Sequence, residues 1–225
     1  MEKRIKTGIK GFDKLIEGGF PHNSNILISG EAGTGKSIFS IEYLINGAKN
    51  NEYGIYFTFE EKKNSIIEQA KQFNYDLEQL EINNKLKIIS IGTQDISKTL
   101  IEDMIEIIIN LKAKRVVIDS ITTMSYLVSQ TEISELIIKN LIFKFLTKLR
   151  EITNLTSLII SQQNEQTINN LCEYLCDGVI KIEHESLGEN YDRHLFIKKM
   201  RRTNNCHDIH PLEISKIGIQ IHNLI

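Results

Sequence analysis

One segment of the chain has the residue types and the spacing of a phosphate-binding loop. GEAGTGKS, at residues 30–37, matches the pattern G-x-x-x-x-G-K-[ST] at every position, and it follows a short apolar run and opens a helical pattern. Glycines at such spacing let the backbone turn tightly with its N–H groups pointing inward, where they and the helix N-terminus make a cradle for an anion. The residues expected to line this cradle are Gly30, Glu31, Ala32, Gly33, Thr34 and Gly35.

Three side chains beside this loop are expected to bind phosphate and a metal ion. Lys36 would reach the β- and γ-phosphates of a nucleotide, and the Ser37 hydroxyl would hold Mg²⁺. Asp119 ends the apolar run RVVID (115–119) and would meet the metal, often through water, at the carboxyl edge of a sheet. An acid at a strand end is by itself more often a helix N-cap, but beside a phosphate-binding loop the metal role is favoured. The predicted ligands are therefore a nucleotide bound through its phosphates and Mg²⁺.

Two adjacent acids, Glu60 and Glu61, end the apolar and aromatic run YFTFEE (56–61). Side chains alternate faces along a strand, so neighbouring carboxylates are not expected to share one task. If this strand lies next to the strand before the phosphate-binding loop, one acid can face the γ-phosphate and polarise an attacking water. The other acid is then free to hold metal-bound water, cap the next helix or contact a neighbouring subunit. The sequence leaves open which acid has which role.

The elements that must position these residues alternate between strand and helix patterns. Buried-strand runs occur at 25–29, 54–59, 87–91, 115–119 and 157–161, and helical spacing of apolar residues at 36–50, 64–73, 100–111 and 131–152. Four consecutive strands are predicted after Gly178, at 179–185, 193–199, 211–215 and 218–222, the first two joined as a hairpin across LGEN (187–190). We expect one α/β domain, residues 1–225, with a mostly parallel central sheet flanked by helices and a C-terminal antiparallel extension.

The composition is that of a globular protein without a basic field. The 225 residues are 41% hydrophobic and 25% charged, and 27 Lys and Arg stand against 29 Asp and Glu, which argues against nucleic acid as a partner. Three cysteines, with no apolar targeting core at the N-terminus, predict reduced thiols and a cytoplasmic protein. The most apolar stretch, 136–146, is interrupted by Lys139 and Lys144, so no membrane-spanning segment is expected.

Six segments together resemble one known family. In chain order they are TGIKGFDKLIEGGFP (7–21), the phosphate-binding loop, FTFEE (57–61), VVIDS (116–120), DGVIKI (177–182) and KMRRT (199–203), the order found in the KaiC-like ATPases of the RecA superfamily. The resemblance implies a RecA-like P-loop NTPase fold that binds ATP and Mg²⁺. It also implies assembly into rings, commonly hexamers, with the nucleotide between subunits. A protein partner, which the sequence does not identify, would read the assembled state.

The resemblance also assigns catalytic roles within the site. It implies that the pair Glu60 and Glu61 includes the catalytic carboxylate, acting with Lys36. Gln162 follows SLIIS (157–161) and stands where RecA-like proteins often place a γ-phosphate sensor. An ordinary strand-end amide is an equal alternative for this residue.

A second part of the site is implied to come from a neighbouring subunit. In the family a Lys-x-Arg segment reaches across the interface towards the γ-phosphate of the neighbour, and here that segment is Lys199 to Arg201. From the residues alone, a solvated and charged strand end is the commoner explanation. The chain departs from the family at Arg202, where Gly is usual, and at Asn205, where a His is expected. A clock function is not carried over.

Three functions remain open. The first is an ATP-hydrolysing oligomeric regulator, and the second is a RadB-like recombinase paralogue that binds DNA. The spans 120–138 and 162–180, where recombinases place their DNA-contacting loops, contain no Lys or Arg, although phosphate neutralisation needs several cations. The third is a nucleotide-dependent scaffold with negligible turnover, which the sequence does not separate from the first.

Overall fold

The computed structural model of the chain describes residues 3–97, 99–129, 134–163, 166–185 and 191–223. The strands within these ranges are β1 (Arg4–Ile5), β2 (Phe20–Pro21), β3 (Asn25–Gly30), β4 (Gly54–Thr58), β5 (Leu86–Ser90), β6 (Arg115–Asp119), β7 (Thr156–Gln162), β8 (Gly178–Glu183), β9 (His194–Met200), β10 (His210–Ser215) and β11 (Gly218–Ile221). The α-helices are α1 (Lys36–Lys49), α2 (Lys63–Lys71), α3 (Leu77–Ile82), α4 (Leu100–Asn110), α5 (Ile121–Ser129), α6 (Glu135–Glu151) and α7 (Gln166–Leu175).

Nine strands form one sheet in the order β11-β10-β9-β8-β3-β7-β6-β4-β5. From β8 to β5 all neighbours are parallel. The strands β9, β10 and β11 extend the sheet with antiparallel pairing. Helices pack on both faces, as the crossover connections of parallel strands require. The predicted α/β fold, with a mostly parallel sheet and an antiparallel extension, is confirmed.

The register of the parallel strands brings the chemically interesting residues to one edge. Gly30 pairs with Gln162 of β7 and with Ile182 of β8. Thr58 pairs with Asp119. We call this side of the sheet the carboxyl edge, because all six parallel strands end there. Ligands of open α/β sheets bind at this edge.

The strand that precedes Glu60 and Glu61 does not lie next to the strand that precedes the phosphate-binding loop. β4, which precedes Glu60 and Glu61, is separated from β3 by β6 and β7. The neighbours of β3 are β7 and β8. The condition that β4 lies beside β3 is therefore not met. Apolar runs predict that strands are buried, but they carry no information about which strands pair.

Two apolar layers cover the two faces of the sheet. Because side chains alternate along β3, Ile26 and Ile28 pack into the layer that contains α1, whereas Leu27 packs into the layer that contains α4 and α6. The buried Arg115 ties α1 to the sheet, since its guanidinium donates to the Tyr43 carbonyl at 2.6 Å. This contact helps to fix the helix that begins with the site lysine.

Several elements were not predicted from the sequence. They are the small sheet β1–β2, the short helix α3, and the helices α5 and α7, which occupy much of the spans treated above as loops. The expected start of α6 at residues 131–133 and the hairpin turn at 187–190 lie outside the described residues. Among the helices of the described part of the chain, none is both long and apolar enough to cross a membrane.

Candidate nucleotide-binding site

The phosphate-binding loop joins β3 to α1 at the carboxyl edge. Gly33 and Gly35 have φ angles of 80° and 102°, in the left-handed region that glycine adopts without strain. A Cβ atom on Gly30 would lie 2.1 Å from the Ile182 carbonyl oxygen, so the close approach of β3 and β8 requires glycine there. The loop therefore makes the tight turn that its sequence predicts.

The tip of the loop is open and its base is closed. Glu31, Ala32 and Gly33 are exposed, whereas Thr34 is buried. The Thr34 hydroxyl donates to the Glu31 carbonyl at 3.0 Å and holds the two sides of the loop together. A ligand can therefore enter over the tip and meet backbone groups.

Lys36, the first residue of α1, folds its side chain into the loop. Its Nζ donates to the carbonyl oxygens of Gly30 at 2.9 Å and Glu31 at 2.5 Å. Burial lowers the pKa of this amine, and the carboxylates of Asp119 and Glu60 oppose that effect. The side chain is thus a partly desolvated cation that a phosphate would pair with more strongly than two neutral carbonyls do.

Ser37 and Asp119 meet beside the lysine. The Ser37 hydroxyl donates to Asp119 Oδ2 at 2.9 Å, and the Tyr56 hydroxyl donates to the same oxygen. Burial raises the pKa of Asp119 to about 6, with a further contribution from the Glu60 carboxylate, while the two hydroxyl donors oppose the rise. A serine hydroxyl and a carboxylate still ionised at neutral pH are oxygen donors of the kind that Mg²⁺ prefers, so this pair fits the metal.

Glu60 lies on the side of the site that faces β6 and β7. Its Oε1 accepts hydrogen bonds from the Ser120 and Thr123 hydroxyls, each at 2.6 Å. The same oxygen accepts from Gln162 Nε2 at 2.9 Å. The carboxylate also contributes to the field at Lys36. Glu60 therefore belongs to the group of side chains around the phosphate-binding loop.

Glu61 points in a different direction, towards α2. Its Oε2 accepts hydrogen bonds from Ser65 Oγ and from Gln69 Nε2, each at 2.5 Å. Its backbone N–H donates to Thr58 Oγ1 at 3.1 Å, which tightens the turn after β4. The structure thus separates the two acids, with only Glu60 bonded to the residues that follow β6 and end β7.

Gln162 is the last residue of β7 and lies beside the first glycine of the loop. In addition to the bond from its side-chain amide to Glu60, its backbone N–H donates to Thr122 Oγ1 at 3.3 Å. Its carbonyl accepts from Asn169 Nδ2 at 2.5 Å. The amide is therefore within the site, as the sensor interpretation requires.

Lys199 and Arg201 lie far from this group, towards the opposite edge of the sheet. Gly30 pairs with Ile182 on β8, and Ile182 pairs in turn with Leu195 on β9, so Leu195 is the residue of β9 at the same height in the sheet as Gly30. Lys199 lies four positions beyond Leu195 on β9, about 13 Å along the strand, and Arg201 lies further still. Neither cation reaches the loop of its own chain.

Both cations contact the C-terminal end of α7. Lys199 Nζ donates to the Glu173 carbonyl at 2.6 Å, and the Arg201 guanidinium donates to the Tyr174 carbonyl at 3.2 Å. Arg201 also lies 3.5 Å from Asp177 Oδ1. Burial lowers the pKa of Lys199, and the Arg201 charge adds to this effect.

Five site residues were missed by sequence reasoning. They are Tyr56, Ser120, Thr123, Asn169 and His184, whose Nε2 lies 3.7 Å from the place of a Cβ on Gly33. The run SITT directly after Asp119 could have indicated hydroxyl donors at the carboxyl edge. Asn169 carries no such signal, because its partners come from two strands that are distant in sequence.

This edge of the sheet carries a P-loop nucleotide-binding site. It combines a glycine-rich loop before a helix, a buried lysine, a serine–aspartate pair and a glutamate. A family model described as "ATPase: KaiC" matches residues 5–224. The UPF0273 protein PH0284 of Pyrococcus horikoshii is 32% identical over 241 residues, which cover 99% of this chain and 95% of that protein. The circadian clock oscillator protein KaiC of Parasynechococcus marenigrum is 33% identical over 232 residues, 97% of this chain but 44% of that protein.

A solved structure agrees with these similarities. The crystal structure of the KaiC-like protein PH0186 from Pyrococcus horikoshii has a TM-score of 0.86 to this chain at 28% sequence identity, and the alignment covers 99% of this chain and 100% of that one. The chain belongs to the KaiC family of nucleotide-binding ATPases within the RecA superfamily.

Proposed function

We propose that this chain acts, as a single ATPase domain, as a Mg²⁺-dependent regulatory ATPase whose nucleotide sites lie between subunits of a homo-oligomeric ring. The observation that carries the proposal is the separation of two half-sites. The phosphate-binding loop and Glu60 lie at the carboxyl edge, whereas Lys199 and Arg201 lie towards the opposite edge. A second copy would bring the two half-sites together, and a protein partner would read the resulting change in subunit packing.

Within one chain the loop and Lys36 would bind the phosphates of ATP, with backbone N–H groups and the α1 N-terminus favouring negative charge. Ser37 and Asp119 would hold Mg²⁺, which neutralises phosphate charge when bound. Because Lys36 already faces two carbonyl oxygens, phosphate binding requires only that it exchange these neutral acceptors for charged ones.

Glu60 is the proposed general base. Its carboxylate would accept the proton of a water as the water oxygen bonds to the γ-phosphorus and the bond from that phosphorus to the bridging oxygen of ADP breaks. The Ser120 and Thr123 hydroxyls hold the carboxylate in place at 2.6 Å. Gln162 would exchange its bond to Glu60 for a γ-phosphate oxygen, which frees Glu60 for the water.

The neighbouring copy would supply Lys199 and Arg201 to the γ-phosphate. Cations placed where negative charge develops in phosphoryl transfer accelerate it by about 10³–10⁵-fold in enzymes that use an arginine finger. Turnover is therefore expected to depend on assembly.

Solution mass by light scattering tests the proposal. The protein is measured without nucleotide, with ADP, and with a slowly hydrolysed ATP analogue and Mg²⁺. We expect the 25.9 kDa chain to form a discrete ring with the analogue, and hydrolysis of ATP to rise with the assembled fraction. A chain that binds the analogue and stays monomeric at all concentrations would refute the interface site.

Two other functions predict different results in assays of phosphate release and of DNA binding. A nucleotide-dependent scaffold would assemble with ATP and release no phosphate. A recombinase paralogue would bind single-stranded DNA with an affinity that falls steeply between 50 and 200 mM salt, by about 10³-fold or more for several phosphate contacts. The regulatory ATPase is favoured over the recombinase because the spans 120–138 and 162–180 have no Lys or Arg.

A further inference from the structure

A buried asparagine joins the nucleotide site to helix α7. Asn169 is 4% exposed, and its Nδ2 donates to the Gln162 carbonyl at 2.5 Å. Its Oδ1 accepts from the hydroxyls of Ser29, at 3.4 Å, and Ser161. Ser29 immediately precedes the phosphate-binding loop, and Ser161 immediately precedes Gln162. One side chain of α7 therefore holds the ends of β3 and β7 where both enter the site.

The other end of α7 holds the two cations of the second half-site. The carbonyls of Glu173 and Tyr174 accept from Lys199 and Arg201. The last carbonyls of a helix lack partners within the helix, and cations there also interact favourably with its dipole. The Glu173 carboxylate binds Lys198 at 2.6 Å, which fixes β9 further against α7.

We propose that α7 couples the γ-phosphate side of each chain's own site to the two cations that the chain presents to its neighbour, with Asn169 as the positioning residue. This coupling rests on the function proposed above and adds its regulation. It makes the nucleotide held by one subunit control the reactivity of the nucleotide held by the next.

The coupling begins at the Gln162 side-chain amide, for which Glu60 and a γ-phosphate are competing hydrogen-bond acceptors. In the structure this amide donates to Glu60, and a γ-phosphate offers a charged acceptor in its place. Turning to that acceptor shifts the Gln162 backbone, whose carbonyl is bonded to Asn169. From Asn169 to Tyr174 the continuous helix Gln166–Leu175 rises about 7.5 Å, or about 1.4 turns. A shift at one end therefore moves the carbonyls that hold Lys199 and Arg201.

Hydrogen exchange in the wild-type protein tests the coupling without any substitution on α7. Segment 170–177, in which the Cys176 N–H donates to the Cys172 carbonyl at 2.8 Å, is compared with ADP and with the ATP analogue, both with Mg²⁺. We expect exchange rates to differ by about threefold or more between the two nucleotides. Equal rates in a protein that binds both would overturn the coupling and leave the proposed function intact. Failure to bind either nucleotide would instead refute the proposed function.

Steady-state kinetics of assembled protein gives a second test with a matched control. Asn169→Ala should lower kcat about tenfold and change KM less than about twofold, whereas Asn170→Ala, at the exposed neighbouring position, should change neither. The double variant Asn169→Ala/Arg201→Ala should lower kcat by less than the product of the two single effects, because both changes act on the cations held by α7. Fully multiplicative effects, or a raised KM with unchanged kcat, would overturn the role of Asn169. If Asn169→Ala does not fold, the exchange experiment decides.

Discussion

The two adjacent acids of YFTFEE give the sharpest test of the proposed chemistry, because the structure assigns them different partners. Glu60 accepts three hydrogen bonds from residues of the site, and Glu61 accepts two from α2. Glu60→Gln keeps an amide oxygen that can accept from the Ser120 and Thr123 hydroxyls. We therefore expect the free energy of unfolding to change by about 1 kcal/mol or less, while the loss of the proton acceptor lowers kcat by about 10²–10⁴-fold.

The assay separates chemistry from binding. Phosphate release at saturating ATP gives kcat, and titration with a fluorescent ATP analogue gives Kd, which should stay equal or become tighter since a negative charge near the phosphates is removed. Glu61→Gln is the matched control, with a fall in kcat of less than about threefold because its partners Ser65 and Gln69 lie on α2. The reasoning is refuted if Glu61→Gln abolishes hydrolysis and Glu60→Gln retains it.

Three further substitutions test other parts of the molecule. Lys36→Ala should weaken ATP binding by about 100-fold or more in calorimetry, because it removes the buried cation of the loop. Arg201→Ala should lower turnover per assembled subunit by about tenfold or more; unchanged turnover would make this cation part of a solvated strand end. Burial raises the pKa of Glu42 from 4.5 to about 7, so its contribution to stability is full below pH 4.5 and lost as pH rises through 7. In urea unfolding, the free energy of unfolding of Glu42→Gln should therefore exceed that of the wild type by up to about 3 kcal/mol at pH 8 and by about 1 kcal/mol or less at pH 5. An equal difference at the two pH values would contradict this reasoning.

The phosphate-binding loop was predictable because each of its residues has a local task. Glycine at 33 and 35 permits positive φ, and the lysine and serine that follow open the helix. The buried strands were predictable for a similar reason, since a strand covered on both faces, such as RVVID, has a continuous apolar run. These features depend on the chain within a few residues of each position.

The position of Glu60 in the site could not be predicted in the same way, because it depends on strand order. β4 lies beside β6, and the Phe59 N–H donates to the Asp119 carbonyl at 2.8 Å, one residue beyond the end of the strand. This bond carries the chain across the carboxyl end of β6 and brings Glu60 to Ser120. Nothing in YFTFEE specifies β6 as its neighbour. The sequence therefore indicated a pair of candidate acids, and only the packing of β4 against β6 distinguishes them.

The contacts of Lys199 and Arg201 also bear on why the proposed assembly should require ATP and not ADP. Each cation already has carbonyl partners on α7, and Arg201 lies near Asp177, so neither is an unsatisfied charge that would seek any neighbour. Leaving these partners is favourable only for a stronger acceptor, and a γ-phosphate offers charged oxygens where the α7 carbonyls are neutral. ADP lacks that group, so the same exchange would lose hydrogen bonds without replacing them. The cations are therefore expected to leave their α7 partners for the neighbouring site only when that site holds a triphosphate.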